Sequence, residues 1–201
     1  MTIKMDNVKV TKVTDNFCSQ VQQILDKRRK STWDPKQAQS IDFFLTPAGG
    51  DRMITALKRL SYQKFSCLSA PNGQIYLCGE TDDLELEIRE ERYNIGPYYV
   101  AISEESIVRG QNHPLHVFPK YDPHTTHRHL HHYANSGFDH PLMADTRTCW
   151  ASIGPSYLSA IHDADIADLF RVMYIFLIRL DWNSPYDTTW AWEAMEHGER
   201  L

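Results

Sequence analysis

The sequence predicts an α+β domain, an antiparallel β-meander packed by helices and preceded by an N-terminal helical extension. Apolar residues recur at helical spacing near both ends, at Phe17, Val21, Ile24 and Leu25 and again from Ile166 to Leu180. The middle, from about residue 65 to 118, holds short apolar and aromatic runs separated by turn residues. Helices, then strands, then helices is a segregated order, which belongs to α+β rather than alternating α/β folds.

Each element has its own signal. Asp15 is placed to cap a helix whose polar end is Lys27-Arg28-Arg29-Lys30. A basic run at a helix C-terminus is ordinarily a solvated face that complements the helix dipole. Trp33-Asp34-Pro35 breaks the helix, because the residue before a proline is pushed out of the α region. A polar stretch follows, then a short apolar run, Ile41 to Leu45, and Thr46-Pro47-Ala48-Gly49-Gly50 reads as a turn or hinge. A second helix spans Asp51 to about Leu60, with Met53, Ile54, Leu57 and Leu60 on one stripe. Residues 1–49 are assigned to the helical extension and 50–201 to the α+β domain.

Phe65 to Leu68 and Gln74 to Cys78 flank Pro71-Asn72-Gly73, a strong turn signal. Leu84-Glu85-Leu86-Glu87-Ile88-Arg89 alternates apolar and charged residues, so one face of that strand is buried. Tyr98 to Ile102 and Leu115 to Phe118 complete the expected meander. Residues 119–148 show no periodicity and read as a long loop, a length that in a compact domain marks function or disorder. Asp163 or Asp165 can cap a helix that reaches Leu180 and stops before Asn183-Ser184-Pro185. A last short helix from Thr188 to Glu199 is anchored by Trp190 and Trp192. With Trp182 and Tyr186 these residues make an aromatic C-terminal group that reads as core or lid, or as a partner-binding surface.

Composition narrows the function. The chain has 201 residues, a 42% hydrophobic fraction sufficient for one core, and 23% charged residues. Its net charge of −5 speaks against a broad nucleic-acid-binding surface. The first residues, Met1 to Asp6, lack the apolar core of a secretory signal, and no apolar run approaches the roughly 20 residues of a bilayer span. The expected location is therefore cytoplasmic, away from membranes, with Cys18, Cys67, Cys78 and Cys149 as free thiols. No cysteine lies in a CxxC pair, which removes the structural-zinc signature.

The chemistry concentrates between His113 and Trp150, which hold eight of the ten histidines and Cys149. Imidazole exchanges protons near neutral pH and ligates metals, so either a metal site or a cysteine thioester site fits this stretch. His124, His127, His129, His131 and His132 could bind zinc, as three histidines and a water do in catalytic zinc sites. Their i, i+3, i+5, i+7, i+8 spacing, in an irregular segment, suits a polar loop at least as well. Tyr121, Asp122 and Asp139 could orient the histidines in either case. Cys149 is either a nucleophile, with Arg147 and the histidines lowering its pKa against the opposing charge of Asp145, or a packed structural thiol.

The order of elements and the residues around Cys149 resemble the ubiquitin-conjugating enzymes, the E2 (UBC) family, and in particular its divergent prokaryotic and viral relatives. His140-Pro141-Leu142 stands nine residues before Cys149, where the family carries His-Pro-Asn before its cysteine. Trp150 to Pro155 and then Tyr157 to Ile161 follow, where the family has a tight turn and a helix, and Asp181-Trp182-Asn183-Ser184-Pro185 matches a later loop. The resemblance covers roughly residues 50–190. It implies that Cys149 accepts the C-terminus of a ubiquitin-like protein as a thioester and passes it to an amine. His140 would brace the loop, Asn135 would donate to the oxyanion and Asp181 would act as base toward the incoming lysine. The family's Asn is Leu142 here, and a histidine-rich insertion precedes His140.

The resemblance implies protein partners: a ubiquitin-like protein and a separate activating enzyme, since no glycine-rich phosphate loop is present. Two other readings stand beside it. One is an inactive E2-like interaction module within a larger assembly, which Leu142 favours. The other is a metal-dependent hydrolase that uses the histidine loop. No cofactor is expected, with zinc as the alternative. Elemental analysis of purified protein separates the hydrolase reading from the other two: substoichiometric metal is the expected result, and a full equivalent that leaves only on chelation would establish the metal site.

Overall fold

In a computed structural model, residues 12–70, 72–110, 116–119, 154–178, 195 and 199–201 are described. The chain begins with a short strand β1 (Lys12–Val13) and three helices, α1 (Asp15–Ser31), α2 (Pro35–Leu45) and α3 (Pro47–Lys58). Strands β2 (Tyr62–Ser69), β3 (Ile75–Thr81), β4 (Leu84–Ile88), β5 (Glu91–Gly96) and β6 (Tyr98–Ser103) come next. They are followed by helix α4 (Glu104–Arg109) and strand β7 (His116–Pro119). Helices α5 (Gly154–Asp163) and α6 (Ile166–Ile178) and a short strand β8 (Glu199–Arg200) complete the described chain. The α+β class holds: helices pack on an antiparallel sheet.

The sheet departs from a plain meander. Among the described residues its order is β1-β2-β3-β6-β7, antiparallel throughout except for the parallel pairing of β1 with β2. Strands β4 and β5 leave it as a hairpin and pair with β8 in a second, three-stranded sheet. The hairpin turn is Arg89-Glu90, with φ of 53° and 70°. Left-handed backbone at two residues is the geometry of a tight hairpin turn, and it normally recruits Gly or Asn. The Asn72-Gly73 turn between β2 and β3 is as expected, with Gly73 at φ 80° and the Gln74 N–H donating to Asn72 Oδ1 at 3.0 Å.

The helices also differ from expectation in detail. Thr14, not Asp15, caps α1, its hydroxyl accepting the Phe17 N–H at 3.1 Å. The polar stretch after Pro35 is helix α2, capped by Asp34, whose carboxylate accepts from the Lys36 and Gln37 N–H groups. The expected turn at Thr46-Gly50 is the first turn of α3, capped by Thr46. Gly49 belongs there for space: a Cβ would lie 1.9 Å from the Phe43 carbonyl oxygen. Asp165 does cap α6, accepting the Asp168 N–H at 3.0 Å.

One hydrophobic core joins helices and sheet. The Phe170 ring of α6 lies 4.9 Å from Phe65, 5.6 Å from Tyr62 and 6.2 Å from Phe17. The Tyr62 hydroxyl donates to the Phe170 carbonyl at 2.9 Å. Gly79 on β3 makes room for this cluster, since a Cβ there would meet the Tyr62 ring at 2.7 Å. A ring as deeply placed as Phe170 stabilises by about 3–5 kcal/mol against its truncation to Ala. Helices α1 and α2, within the segment assigned to the extension, supply Phe17, Val21, Ile24, Leu25, Ile41 and Phe44 to the same core. The alternation of β4 buries Leu84, Leu86 and Ile88 and exposes Glu85 and Glu87.

The basic run at the end of α1 is only partly a solvated face. Lys27 pairs with Glu104, Arg29 with Asp42 and Lys30 with Asp26, all at the surface. Arg28 is 1% exposed. It falls on the helix stripe of Phe17, Val21, Ile24 and Leu25, so helical geometry turns it inward. Its guanidinium donates to the Ile107 carbonyl at 2.9 Å, to the His162 carbonyl at 2.7 Å and to the Ile161 carbonyl. Arg28→Met should therefore lower stability by about 3 kcal/mol, or roughly 6–12 °C in Tm, because two buried carbonyls and the partly buried His162 carbonyl lose a charged donor. Arg29→Met, at the exposed next position, should leave the melting curve where it was.

Candidate functional site

The residues that the sequence nominates lie outside the described residues: Cys149, His140, Asn135 and Asp181, and the histidines His124, His127, His129, His131 and His132. The elements on either side of the Cys149 segment are described. Strand β7 is held by pairing with β6, from Tyr98 opposite Pro119 to Ala101 opposite His116. Helix α5 buries Tyr157, Ala160 and Ile161, and its C-terminal carbonyls are bound by Arg28. Among the described residues no group of three or more His, Cys, Asp or Glu is arranged to hold a metal ion, and no helix is long and apolar enough to cross a membrane.

Three of the four cysteines are placed, and all are free thiols. Burial pushes the Cys78 thiol up to about 12 and the Cys67 thiol up to about 11, and raises that of Cys18 as well. Thiolate character controls reactivity, so none of these has the electropositive setting of a nucleophile. Cys78 faces a small cluster of Ala70, Tyr76 and Ala101, on the opposite side of the sheet from Phe65.

The described surface contains a cleft of about 440 Å³ that the sequence did not single out. Its walls come from three elements. Helix α2 contributes Phe43 and Phe44, and α3 with the residues after it contributes Arg52, Met53, Ala56, Arg59 and Leu60. The start of α6 contributes Asp165, Ala167, Asp168 and Arg171. The cleft thus combines an apolar wall with three guanidiniums and two carboxylates.

Both carboxylates are engaged within the protein. Asp168 Oδ1 accepts from Arg171 Nε at 2.5 Å. Asp165 caps α6, and burial raises its carboxyl pKa against the opposing pull of the Asp168 N–H it accepts and of Arg52. The Arg52 guanidinium lies over the Phe43 ring, 5.9 Å from its centroid, and is in no ion pair among the described residues. Arg59 has no ion-pair partner among the described residues. Arg52 on α3 and Arg59, the residue that caps its C-terminus, stand seven residues apart, about two helical turns along one face. That spacing was readable in the sequence, but Arg171 comes from a distant helix.

Two neighbouring hollows differ in kind. In one, of about 450 Å³, Lys27 faces Glu104 and Arg109 pairs with Glu105 at 2.8 Å, so its charges cancel locally. The other, of about 380 Å³, lies beside the fully exposed Trp33 and the buried Arg28.

No protein-family model, curated protein or solved structure matches the chain.

Thiol reactivity offers a direct check on the nominated cysteine. With iodoacetamide at neutral pH, Cys78 should be the slowest to alkylate and Cys67 slow, as burial holds both as neutral thiols. Cys149, if it is a nucleophile, should be modified first in peptide mapping of the native protein. Modification of Cys18 ahead of Cys149 would identify Cys149 as a packed thiol.

Proposed function

We propose that the chain is an E2-like domain in which Cys149 carries the C-terminus of a ubiquitin-like protein as a thioester. The observation that carries this reading is the sequence of parts around Cys149. An antiparallel sheet of β2, β3, β6 and β7 comes first, and a segment with His140-Pro141 nine residues before Cys149 follows. Helices α5 and α6 then follow, with α6 laid across the sheet through Phe170.

In this reading the Cys149 thiolate attacks the activated acyl group held as a thioester by a separate activating enzyme. The Cys149 sulfur bonds to the acyl carbon, the activating enzyme's thiolate leaves, and an amine later displaces Cys149 to form an amide. His140 braces the loop by hydrogen bonding. Asn135 donates to the developing oxyanion in place of the Asn replaced by Leu142, and Asp181 accepts a proton from the attacking amine. Leu142 is the specific observation favouring a second reading, an E2-like module that binds partners without transfer: a leucine has no donor, and one oxyanion donor can be worth about 3 kcal/mol.

The two readings separate in one assay. The full chain is incubated with a ubiquitin-like protein, its activating enzyme and ATP, and followed on non-reducing gels. A conjugate sensitive to thiol, replaced by a thiol-resistant one in Cys149→Lys and absent in Cys149→Ala, supports transfer. Folded protein with no conjugate, or a conjugate that survives Cys149→Ala, would leave only the binding module.

A further inference from the structure

We propose that the cleft between α3 and the start of α6 binds a carboxylate monoanion carried on an apolar body, with Arg59 and Arg52 as its ligating residues. The argument does not depend on Cys149. It begins with donors. A guanidinium has five N–H groups in a planar fork that matches a carboxylate. Arg171 spends part of its fork on Asp168, Arg52 lies over the Phe43 ring with no ion pair among the described residues, and Arg59 pairs with no acid among them.

Charge selects the anion. Three guanidiniums against two carboxylates leave the cleft one positive charge in formal count. One negative charge balances it. A dianion such as a phosphate monoester would overshoot, and Asp165 and Asp168 would repel it at close range. The apolar wall selects the rest of the ligand. Phe43, Met53 and Leu60 line the cleft beside the guanidiniums, and Phe43 is 41% exposed, so its ring is open to a bound ligand. A cleft of about 440 Å³ holds a body the size of an aromatic or branched side chain with its carboxylate. The same chemistry occurs in a small organic acid and at the C-terminus of a peptide ending in an apolar residue.

The test uses the full-length chain, followed by amide chemical shifts in ¹H–¹⁵N spectra. The probes are 3-phenylpropionate, its neutral amide, phenyl phosphate, and a short peptide ending in Leu-Phe with a free or an amidated C-terminus. Saturable shifts on α3 and α6 with the carboxylates, and none with the neutral amides, support the proposal. Arg59→Gln and Arg52→Gln should each weaken binding about tenfold, as expected for loss of one charge-assisted contact, and Arg109→Gln outside the cleft should not. The variant spectra report folding at the same time. Tighter binding of the peptide assigns the carboxylate to a chain end, and tighter binding of phenylpropionate assigns it to a small acid. Binding of the amides as strong as that of the acids, tighter binding of phenyl phosphate, unchanged affinity in both arginine variants, or no saturable shift from either carboxylate at millimolar concentration would each overturn the proposal.

Discussion

The buried Arg28 guanidinium is the contact on which the helical half of the structure depends. It ties α1 to the C-terminal ends of α4 and α5 through the Ile107, Ile161 and His162 carbonyls. Burying a charge is costly unless it is compensated, and here helix ends do much of the compensation. The last carbonyls of a helix lack partners within the helix and carry the negative end of its dipole. Two such ends converge on one cation. Burial pushes the guanidinium pKa down and Asp163 pushes it back, but an arginine stays charged across the physiological range. Gly110 completes the arrangement. It ends α4 at φ 61°, and a Cβ there would lie 2.9 Å from an Arg28 guanidinium nitrogen. The residue is confined to glycine by the left-handed backbone that ends α4 and by space, and the second constraint traces to Arg28.

The sheet has a comparable fixed point in the cluster of Phe65, Tyr62 and Phe170. The hydroxyl of Tyr62 must find an acceptor once buried, and it finds the Phe170 carbonyl. Desolvation raises its pKa well above that of a free tyrosine, so it stays a neutral donor. The hydrogen bond fixes α6 against β2, and Gly79 on β3 lets the Tyr62 ring lie flat enough to allow it. Of the two strands that leave the sheet, β4 meets α6, with Leu84, Leu86 and Ile88 buried in the shared core rather than joined to it by backbone pairing. The same helix therefore anchors both sheets.

Long, periodic elements were legible in the sequence, and those announced by ambiguous punctuation were not. Phe17, Val21, Ile24 and Leu25 on α1, and Leu84, Leu86 and Ile88 on β4, take the faces that their spacing requires. In sequence, Trp33-Asp34-Pro35 has the form of a helix break and Thr46-Pro47 that of a turn. Proline at the first position after a capping residue also begins a helix, and Pro35 and Pro47 do so here. Strand β5 was missed because Arg89-Glu90 carries no turn residue, yet the chain adopts positive φ at both positions. Arg28 was read by its neighbours in sequence, although its neighbours on the helix stripe are all apolar. For the site, residue types pointed to the histidines and Cys149, whereas the arginine cleft is assembled from α2, α3 and α6 and has no linear signature.

The distribution of constraint bears on how such a chain can carry function. Core positions such as Phe65, Phe170 and Arg28 are each held by several partners, so a change at one is felt by helices and sheet together. Functional groups gain from a rigid support but must keep free bonding capacity. Arg59 and Arg52 meet both conditions. They project from α3 and its C-cap, a helix whose Met53 and Leu57 are buried in the core, and neither is in an ion pair among the described residues. Lys27 and Arg109 stand on equally firm helices, but their charges are already matched by Glu104 and Glu105. Unspent hydrogen-bonding capacity beside an apolar wall, rather than charge alone, separates the cleft beside α6 from the hollow lined by Lys27 and Arg109.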